Sequence, residues 1–436
     1  MHTPKALRKA LCAMIRSLGK HPERYARRPG RDFTRRRALP FETLIFLLLT
    51  MSEKDAGKEL MRHFRLKTDA PSASALVQQR QKLLPTALEE LFHRFTAYLR
   101  PSKTFRGFRL LAVDGTSLKS SAYPGDPLSH RPGTDRQHGW NLHHINALFD
   151  LDNGIYTDIL VQKEHEKNEP GALCALADRS PITEPVLLLA DRNYESYNDL
   201  AHLEKRGWKY VIRLRDQGRA SVSGIKLPGQ PEFDLPIRLT LGRLTPRQLM
   251  LREIPVPQPY YRIPATVTFD ALETGVEGFY QLSFRVVRLR LQNGQSVTLL
   301  TDLDAQRFPP DALKALYARR WGIETSFRSL KYAVGLAYLH SKMPDLLLQE
   351  VFAAFIIYNF TQAVTWGVDA GHGRSKYRRH VNFSDAVALC CAFLREPMGD
   401  LCALLAPKLV PYRPNRAYHR PKIADNRISS LYRPAR

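Results

Sequence analysis

Over the first hundred residues, apolar side chains recur three and four positions apart with little β-branching. This predicts helices over Pro4–Leu18, Phe41–Met51, Lys54–Phe64 and Ser74–Leu99. The pattern changes at Phe108. "FRLLAVDGTSL" is a short apolar run ending near an acid, which predicts a buried strand. "NLHHINALFDLDNGIYTDILVQ" predicts two strands around the turn residues Asp152, Asn153 and Gly154. A helix over Glu169–Ala177, a second apolar run ending in an acid ("PVLLLADRNY"), a helix over Ser196–Lys205 and a strand "KYVIRLR" follow. Residues 217–300 then alternate apolar and polar positions among Gly, Pro, Thr and Val, which predicts a run of strands standing apart from the core as an insertion. From Pro310 the periodicity is helical to about Leu404, and the Arg-, Pro- and Tyr-rich end carries no regular pattern. The chain thus divides into a helical region 1–100, a mixed α/β core 101–216, a β-rich insertion 217–300, a helical remainder of the core 301–405, and a basic tail 406–436.

One predicted helix carries two stripes. Across Tyr317–Leu336, "YARRWGIETSFRSLKYAVGL", the residues Leu316, Ile323, Phe327, Leu330 and Val334 form an apolar face. Tyr317, Arg320, Glu324 and Lys331 fall within an arc of about 60° beside it, with Arg328 at its edge. Taken alone, this polar line reads as a solvated flank with an i,i+4 pair from Arg320 to Glu324.

Composition sharpens the reading. The chain has 436 residues and a formal net charge of +24, a balance that calls for a polyanionic partner, nucleic acid first. Seven arginines lie between the first two predicted helices (Arg24, Arg27, Arg28, Arg31, Arg35, Arg36 and Arg37), an arm suited to a phosphate backbone. Arg213 and Arg215 alternate along one predicted strand where they can face DNA, and His340 and Lys342 follow the two-striped helix. Cys12, Cys174, Cys390, Cys391 and Cys402 form no CxxC pair and suggest neither a disulfide framework nor a zinc module. His138, His143 and His144 likewise fit no zinc spacing and read as ordinary strand residues. The apolar segments Phe41–Met51 and Val351–Trp366 are shorter than the roughly 20 residues that span a bilayer, and the N-terminus is a poor signal peptide, so a cytoplasmic protein with no membrane partner is expected.

Asp114 and Asp191 each follow an apolar strand-like run, a costly place for a charge unless a cation sits beside it. Each alone reads as a turn cap, in Asp-Gly and in Asp-Arg-Asn. Together with Glu324 on a helix among cations, they suit Mg²⁺, which takes hard oxygen ligands. Two such ions about 4 Å apart serve phosphodiester chemistry. Lys331 and Arg320 would then hold phosphates, and Tyr317 would hydrogen-bond one.

The spacing Tyr317-x2-Arg320-x3-Glu324-x6-Lys331 resembles the YREK signature of transposases of the insertion sequence 4 family. "AVDGTSL" and "LLADRNY" resemble the segments holding that family's first two catalytic acids. "QQRQKL" (Gln78–Leu83), "LHSKMPDLLLQE" and "IIYNF" are also similar to family segments, so the resemblance covers nearly the whole chain. It implies a DDE transposase on an RNase H-like mixed sheet flanked by helices, with Asp114, Asp191 and Glu324 as catalytic and metal-binding acids. Two Mg²⁺ ions are implied, with Mn²⁺ as a substitute. Tyr317, Arg320 and Lys331 are the DNA contacts it implies, and Arg328, Arg213, Arg215, Arg35, Arg36 and Arg37 are expected to add DNA contacts from their own placement in the sequence. The partners implied are double-stranded DNA, namely terminal inverted repeats and target DNA, and a second copy of the chain when DNA is bound. The setting is a bacterial cytoplasm, on the nucleoid. Some members place a tryptophan of the insertion on a flipped base. No Trp lies between 217 and 300 here, and Phe279 and Tyr280 are the aromatics in its place.

Two other readings of the same residues remain: a DNA-binding protein that has lost catalysis, and a plain metal-dependent nuclease. The intact acids favour the enzyme of cut-and-paste transposition.

Overall fold

The structure is a computed structural model that describes residues 2–35, 38–51, 55–134, 138–215, 225, 227–273, 277–291, 294–368, 379–397 and 399–411. Helices α1 (Pro4–Gly19), α2 (Phe41–Thr50), α3 (Ala56–His63), α4 (Ala73–Arg80) and α5 (Thr86–Leu99) open the chain. In α1, Thr3 caps the first turn, accepting from the Ala6 amide at 3.2 Å, and Leu7, Leu11, Ile15 and Leu18 form its buried stripe. The single helix expected over Ser74–Leu99 is instead two. Pro85, which has no N–H to continue a ladder, stands just before the second of them as its N-cap.

The sheet begins with β1 (Arg109–Ser121), β2 (His130–Arg131), β3 (Trp140–Asp150) and β4 (Ile155–Lys163). After helix α6 (Glu169–Asp178) come β5 (Val186–Ala190), helix α7 (Tyr197–Lys205) and β6 (Lys209–Arg213). The order β4-β3-β1-β5-β6 has antiparallel pairings among the first three strands and parallel pairings of β1 with β5 and β5 with β6. This is the RNase H-like mixed sheet flanked by helices. Alternation along β1 sends Leu111 and Val113 into a core with α6 and α7, and sends Ala112 into the helical core on the other face.

The stretch expected to stand apart from the core is indeed strand-rich, with β7 (Phe233–Gly242), a short helix α8 (Pro246–Leu251), β8 (Tyr260–Arg262), β9 (Phe279–Arg290) and β10 (Ser296–Thr301). These strands are not separate from the core sheet. β10 pairs antiparallel with β6, and β9, β7 and β8 follow in order, so one ten-stranded sheet runs through both regions. The physical reason is that β6 would otherwise be an unpaired edge, which Leu299–Thr301 close against Val211–Arg213.

Helices α9 (Pro310–Ala318), α10 (Trp321–Ser329), α11 (Pro344–Thr365) and α12 (Phe383–Arg395) complete the described core. α11 has 22 residues and is by length and composition able to cross a membrane, longer than its apolar stretch suggested. Yet 83% of its apolar window is buried inside the protein. It shares one core with α1, α2, α5, α10 and α12. Asn359, in the "IIYNF" segment, fastens α11 to β4, its amide donating to Tyr156 O at 2.8 Å and its carbonyl accepting from Tyr156 N at 2.9 Å.

Candidate active site

Asp114 does not end its strand, as the turn-like Asp-Gly pair suggested. β1 continues to Ser121 along β3, and Asp114 sits opposite Ala147. What ends near Asp114 is the parallel pairing with β5, whose last bonded partners are Ala112 and Leu189. Two residues further on lie Asp114 and Asp191, where the two strands part. Asp191 follows β5 directly and caps the 3₁₀ turn Arg192–Tyr194, one oxygen accepting from the Asn193 amide at 2.8 Å. Asp114 accepts from its neighbour Gly115 N at 2.8 Å.

Gly115 is likewise no turn residue. A Cβ there would stand 2.3 Å from His144 Nε2 and 3.0 Å from Glu169 Oε1, so the glycine permits close packing across the strand. His144 and Glu169 form a buried contact of 2.9 Å, and Lys167 adds another at 3.0 Å. The His144 hydrogen bond leads in holding the Glu169 carboxyl down to about 2. Sequence reasoning set His144 aside and missed Glu169. The available signal was Asn168, which caps α6 from the Gly171 amide and places Glu169 in its first turn. His143 is buried near Ser129, Cys174 bonds Asp199 at 3.2 Å, and His138 is exposed.

The two-striped helix is not one helix. Between α9 and α10 the bonds shorten to i→i+3, from Arg319 N to Leu316 O through Ile323 N to Arg320 O. After α10 the chain widens into a π turn over Leu330–Val334, which ends at Gly335 with φ +99°. Overwound and underwound turns of this kind mark functional or strained helices. α10 itself is anchored by Ile323 and Phe327 in the core and by Ser326, whose hydroxyl lies 2.7 Å from Tyr156 Oη.

Arg320, at the tight joint, reaches both strand and helix. Nη2 donates to Glu324 Oε1 at 2.6 Å and Nη1 to Asp114 Oδ2 at 3.4 Å, with the Arg320 side chain only 8% exposed. Burial pushes the Asp114 carboxyl up to about 6. Arg320 and the Gly115 amide oppose this, while Asp191 and Glu324 add to it. Tyr317 lies beside Arg320, the guanidinium carbon 5.8 Å from its ring centre. Burial raises the Tyr317 pKa against the pull of Arg320 and Arg213. Lys331 Nζ donates to Ser117 O at 2.9 Å, farther along β1, and burial lowers its pKa. Arg213 ends β6 with its side chain exposed, and Arg328 is exposed one turn beyond Glu324.

The arrangement therefore brings Asp114, Asp191, Glu324, Tyr317 and Arg320 within electrostatic reach of one another, with Lys331 fixed farther along β1. Arg215 is exposed at the strand end, its amide held by Glu195 at 2.8 Å. Arg35 is exposed far along the chain, and Arg36 and Arg37 lie outside the described residues, as does the tail beyond Pro411. Phe279 is partly exposed, whereas Tyr280 is committed to Glu204 at 3.2 Å. His340 is committed to Glu350, its amide donating at 2.7 Å, and Lys342 is exposed. The donor set suits a hard divalent cation: three carboxylates, one of them already short of counter-charge. The spacing expected for shared ions is not preformed. Among the described residues no three acidic, histidine or cysteine groups stand close enough to hold one ion, and Arg320 lies between two of the acids.

An RNase H-like sheet with acids where β1 and β5 part, faced by a glutamate held by Arg320, sets the class of fold to which the site belongs. The model of the transposase DDE domain matches residues 106–360, and the chain belongs to that family. Members of the family generally work with divalent metal ions. Transposase InsG for insertion sequence element IS4 of Escherichia coli (strain K12) is 28% identical over 143 residues, covering 30% of this chain and 32% of that one. The chain thus spans about a third of the length of this curated relative. Among solved structures, a piggyBac transposase synaptic complex with hairpin DNA matches with a TM-score of 0.46 and 11% identity, covering 96% of this chain and 87% of that chain.

Proposed function

We propose that the chain binds the ends of its insertion sequence and catalyses DNA cleavage and strand transfer, with Asp114, Asp191 and Glu324 as the ligands of two divalent ions, Mg²⁺ or Mn²⁺. The observation that carries this reading is that Asp114, with Asp191 and Glu324 in its field, lies beside Arg320 within a transposase domain. When bound, such ions activate an attacking oxygen and stabilise the leaving one. The chain's own residues do the rest. Lys331, fixed on β1 by Ser117 O, presents its ammonium along the cleft, and Arg213 and Arg328 supply exposed charge for the DNA backbone. Tyr317 offers a phenol to a phosphate oxygen. Arg35, Arg36, Arg37 and Arg215 add contacts away from the chemistry. The functional unit on paired ends is a dimer, formed on the nucleoid in the cytoplasm.

The test is a gel shift and a cleavage assay run together on Asp114→Asn, Asp191→Asn and Glu324→Gln. Each variant should lose Mg²⁺-dependent cleavage of the terminal repeats while binding them within about twofold of the parent, a difference of roughly 0.4 kcal/mol. Retained cleavage removes that residue from the site. Loss of binding in all three means that the acids hold the fold, and the chain is then a DNA-binding protein without this chemistry. Cleavage without joined products identifies a plain nuclease.

A further inference from the structure

We propose that Arg320 is the resident counter-cation of the cleft: it ties Asp114 to Glu324 in the metal-free chain and has to be drawn away, onto DNA phosphate, before the two carboxylates can hold a divalent ion together. This rests on the reading of those acids as metal ligands and deepens it, because it makes metal loading depend on DNA.

The geometry is specific. A single guanidinium contacts acids from two different elements, Glu324 at 2.6 Å and Asp114 at 3.4 Å, and sits in the space between them. A divalent ion placed there would face a fixed positive charge at contact range, so the two cations exclude each other. The guanidinium is held unevenly. Its contact with Asp114 is the longer, 3.4 Å against 2.6 Å, and Glu324 is 34% exposed, so a phosphate can reach the pair. The backbone beneath it is the overwound joint between α9 and α10, where i→i+3 bonds replace the regular ladder. The planar fork fits phosphate as well as carboxylate, so a DNA backbone brought against Lys331 and the exposed Arg328 competes for it directly. If the closed arrangement holds nine chains in ten, apparent metal affinity falls about tenfold, and by linkage DNA and metal then favour each other's binding.

The experiment measures Mn²⁺ binding to the full chain by electron paramagnetic resonance, with and without a duplex oligonucleotide. Arg320→Gln should bind Mn²⁺ about tenfold more tightly than the parent without DNA, a gain of roughly 1.4 kcal/mol. Adding Glu324→Gln should erase that gain. The duplex should tighten Mn²⁺ binding by the parent and leave Arg320→Gln unchanged beyond the DNA's own uptake. Equal or weaker Mn²⁺ binding by Arg320→Gln overturns the counter-cation role. A parent indifferent to DNA overturns the release onto phosphate. If Asp114→Asn and Glu324→Gln both leave Mn²⁺ binding by Arg320→Gln untouched, the acids are not ligands, and it is the underlying reading that fails. Should Arg320→Gln not fold by circular dichroism, Arg320→Lys decides the same question. Its single ammonium cannot fork to both acids, so tighter Mn²⁺ binding than the parent supports the proposal and unchanged binding overturns it.

Discussion

Two buried arginines do opposite things with the same chemistry. Arg80, in "QQRQKL", is 2% exposed and is held through two of its nitrogens: Nε on Gln349 Oε1 at 3.2 Å, Nη2 on Leu346 O and on Glu350 Oε1, both at 2.7 Å. The circuit closes on itself. Gln349 donates back to Arg80 O at 3.0 Å and Leu83 O at 2.8 Å, and Glu350 accepts from the His340 amide at 2.7 Å. Burial would raise the Glu350 pKa, but Arg80 and His340 outweigh it and keep the carboxyl low. Arg320 also bridges α10 to another element, but with a longer second contact and a partner, Glu324, that is 34% exposed. A buried charge closed into a circuit joins parts of a fold, and one with a loose contact and a wetted partner can exchange partners.

The largest effect that separates the two comes from Arg80→Met, which keeps volume and strands Glu350 without its cation. It should lower unfolding stability by about 3–5 kcal/mol in a denaturant melt. Arg320→Gln should change it by about 1 kcal/mol or less, since Asp114 can take up a proton and Glu324 faces water. Equal losses would erase the distinction. Next in size is Asp114→Asn. The Asp114 carboxyl is raised from 3.8 to about 6, so the folded state holds a proton that the unfolded chain releases. Stability from this group is present below pH 4, falls as pH rises toward 6, and is flat above. The metal-free Asn variant should therefore be the more stable at pH 7.5, by up to about 3 kcal/mol, and equal to the parent near pH 3.8. A constant difference across that range would show that Asp114 ionises normally. The smallest effect belongs to a third kind of arginine, exposed Arg35. Arg35→Ala should leave stability within about 0.5 kcal/mol and reduce the slope of log affinity for DNA against log salt by about 0.9. An unchanged slope removes it from the interface.

Much of the site could be read from the chain because its acids sit beside strong local signals: two apolar runs for Asp114 and Asp191, and a helical stripe for Tyr317, Arg320, Glu324 and Lys331. The stripe placed Arg320 beside Glu324, as the structure has them, although its premise of one regular helix fails, since the chain between α9 and α10 is a tight joint. The 3₁₀ and π distortions left no mark in the periodicity. Gly115 misled because a glycine after an aspartate signals a turn, whereas its cause here is His144 on the neighbouring strand, a contact invisible to local patterns. Within 233–301, β7, β9 and β10 were legible one by one, whereas β8 was not and the short helix α8 falls where a strand was expected. Their union with the core was not legible, because pairing β10 to β6 joins residues far apart in sequence. The segments "QQRQKL", "LLLQE" and "IIYNF" proved to be anchors: Arg80, Gln349, Glu350 and Asn359 fasten helices to each other and to β4.

That union gives the outer strands a mechanical character. From β1 to β8 the sheet takes six sideways steps through β5, β6, β10, β9 and β7. At about 4.8 Å each this is roughly 29 Å, close to one turn of duplex DNA. Among the described residues the hydrogen-bonded path from β1 to β8 is continuous, so the far edge is tied through the sheet to the wall that carries Asp114. Twisting by about 20–25° per step, it turns through more than a right angle along its length. A load on that edge would reach Asp114 through the strand pairings as a torque rather than a simple pull.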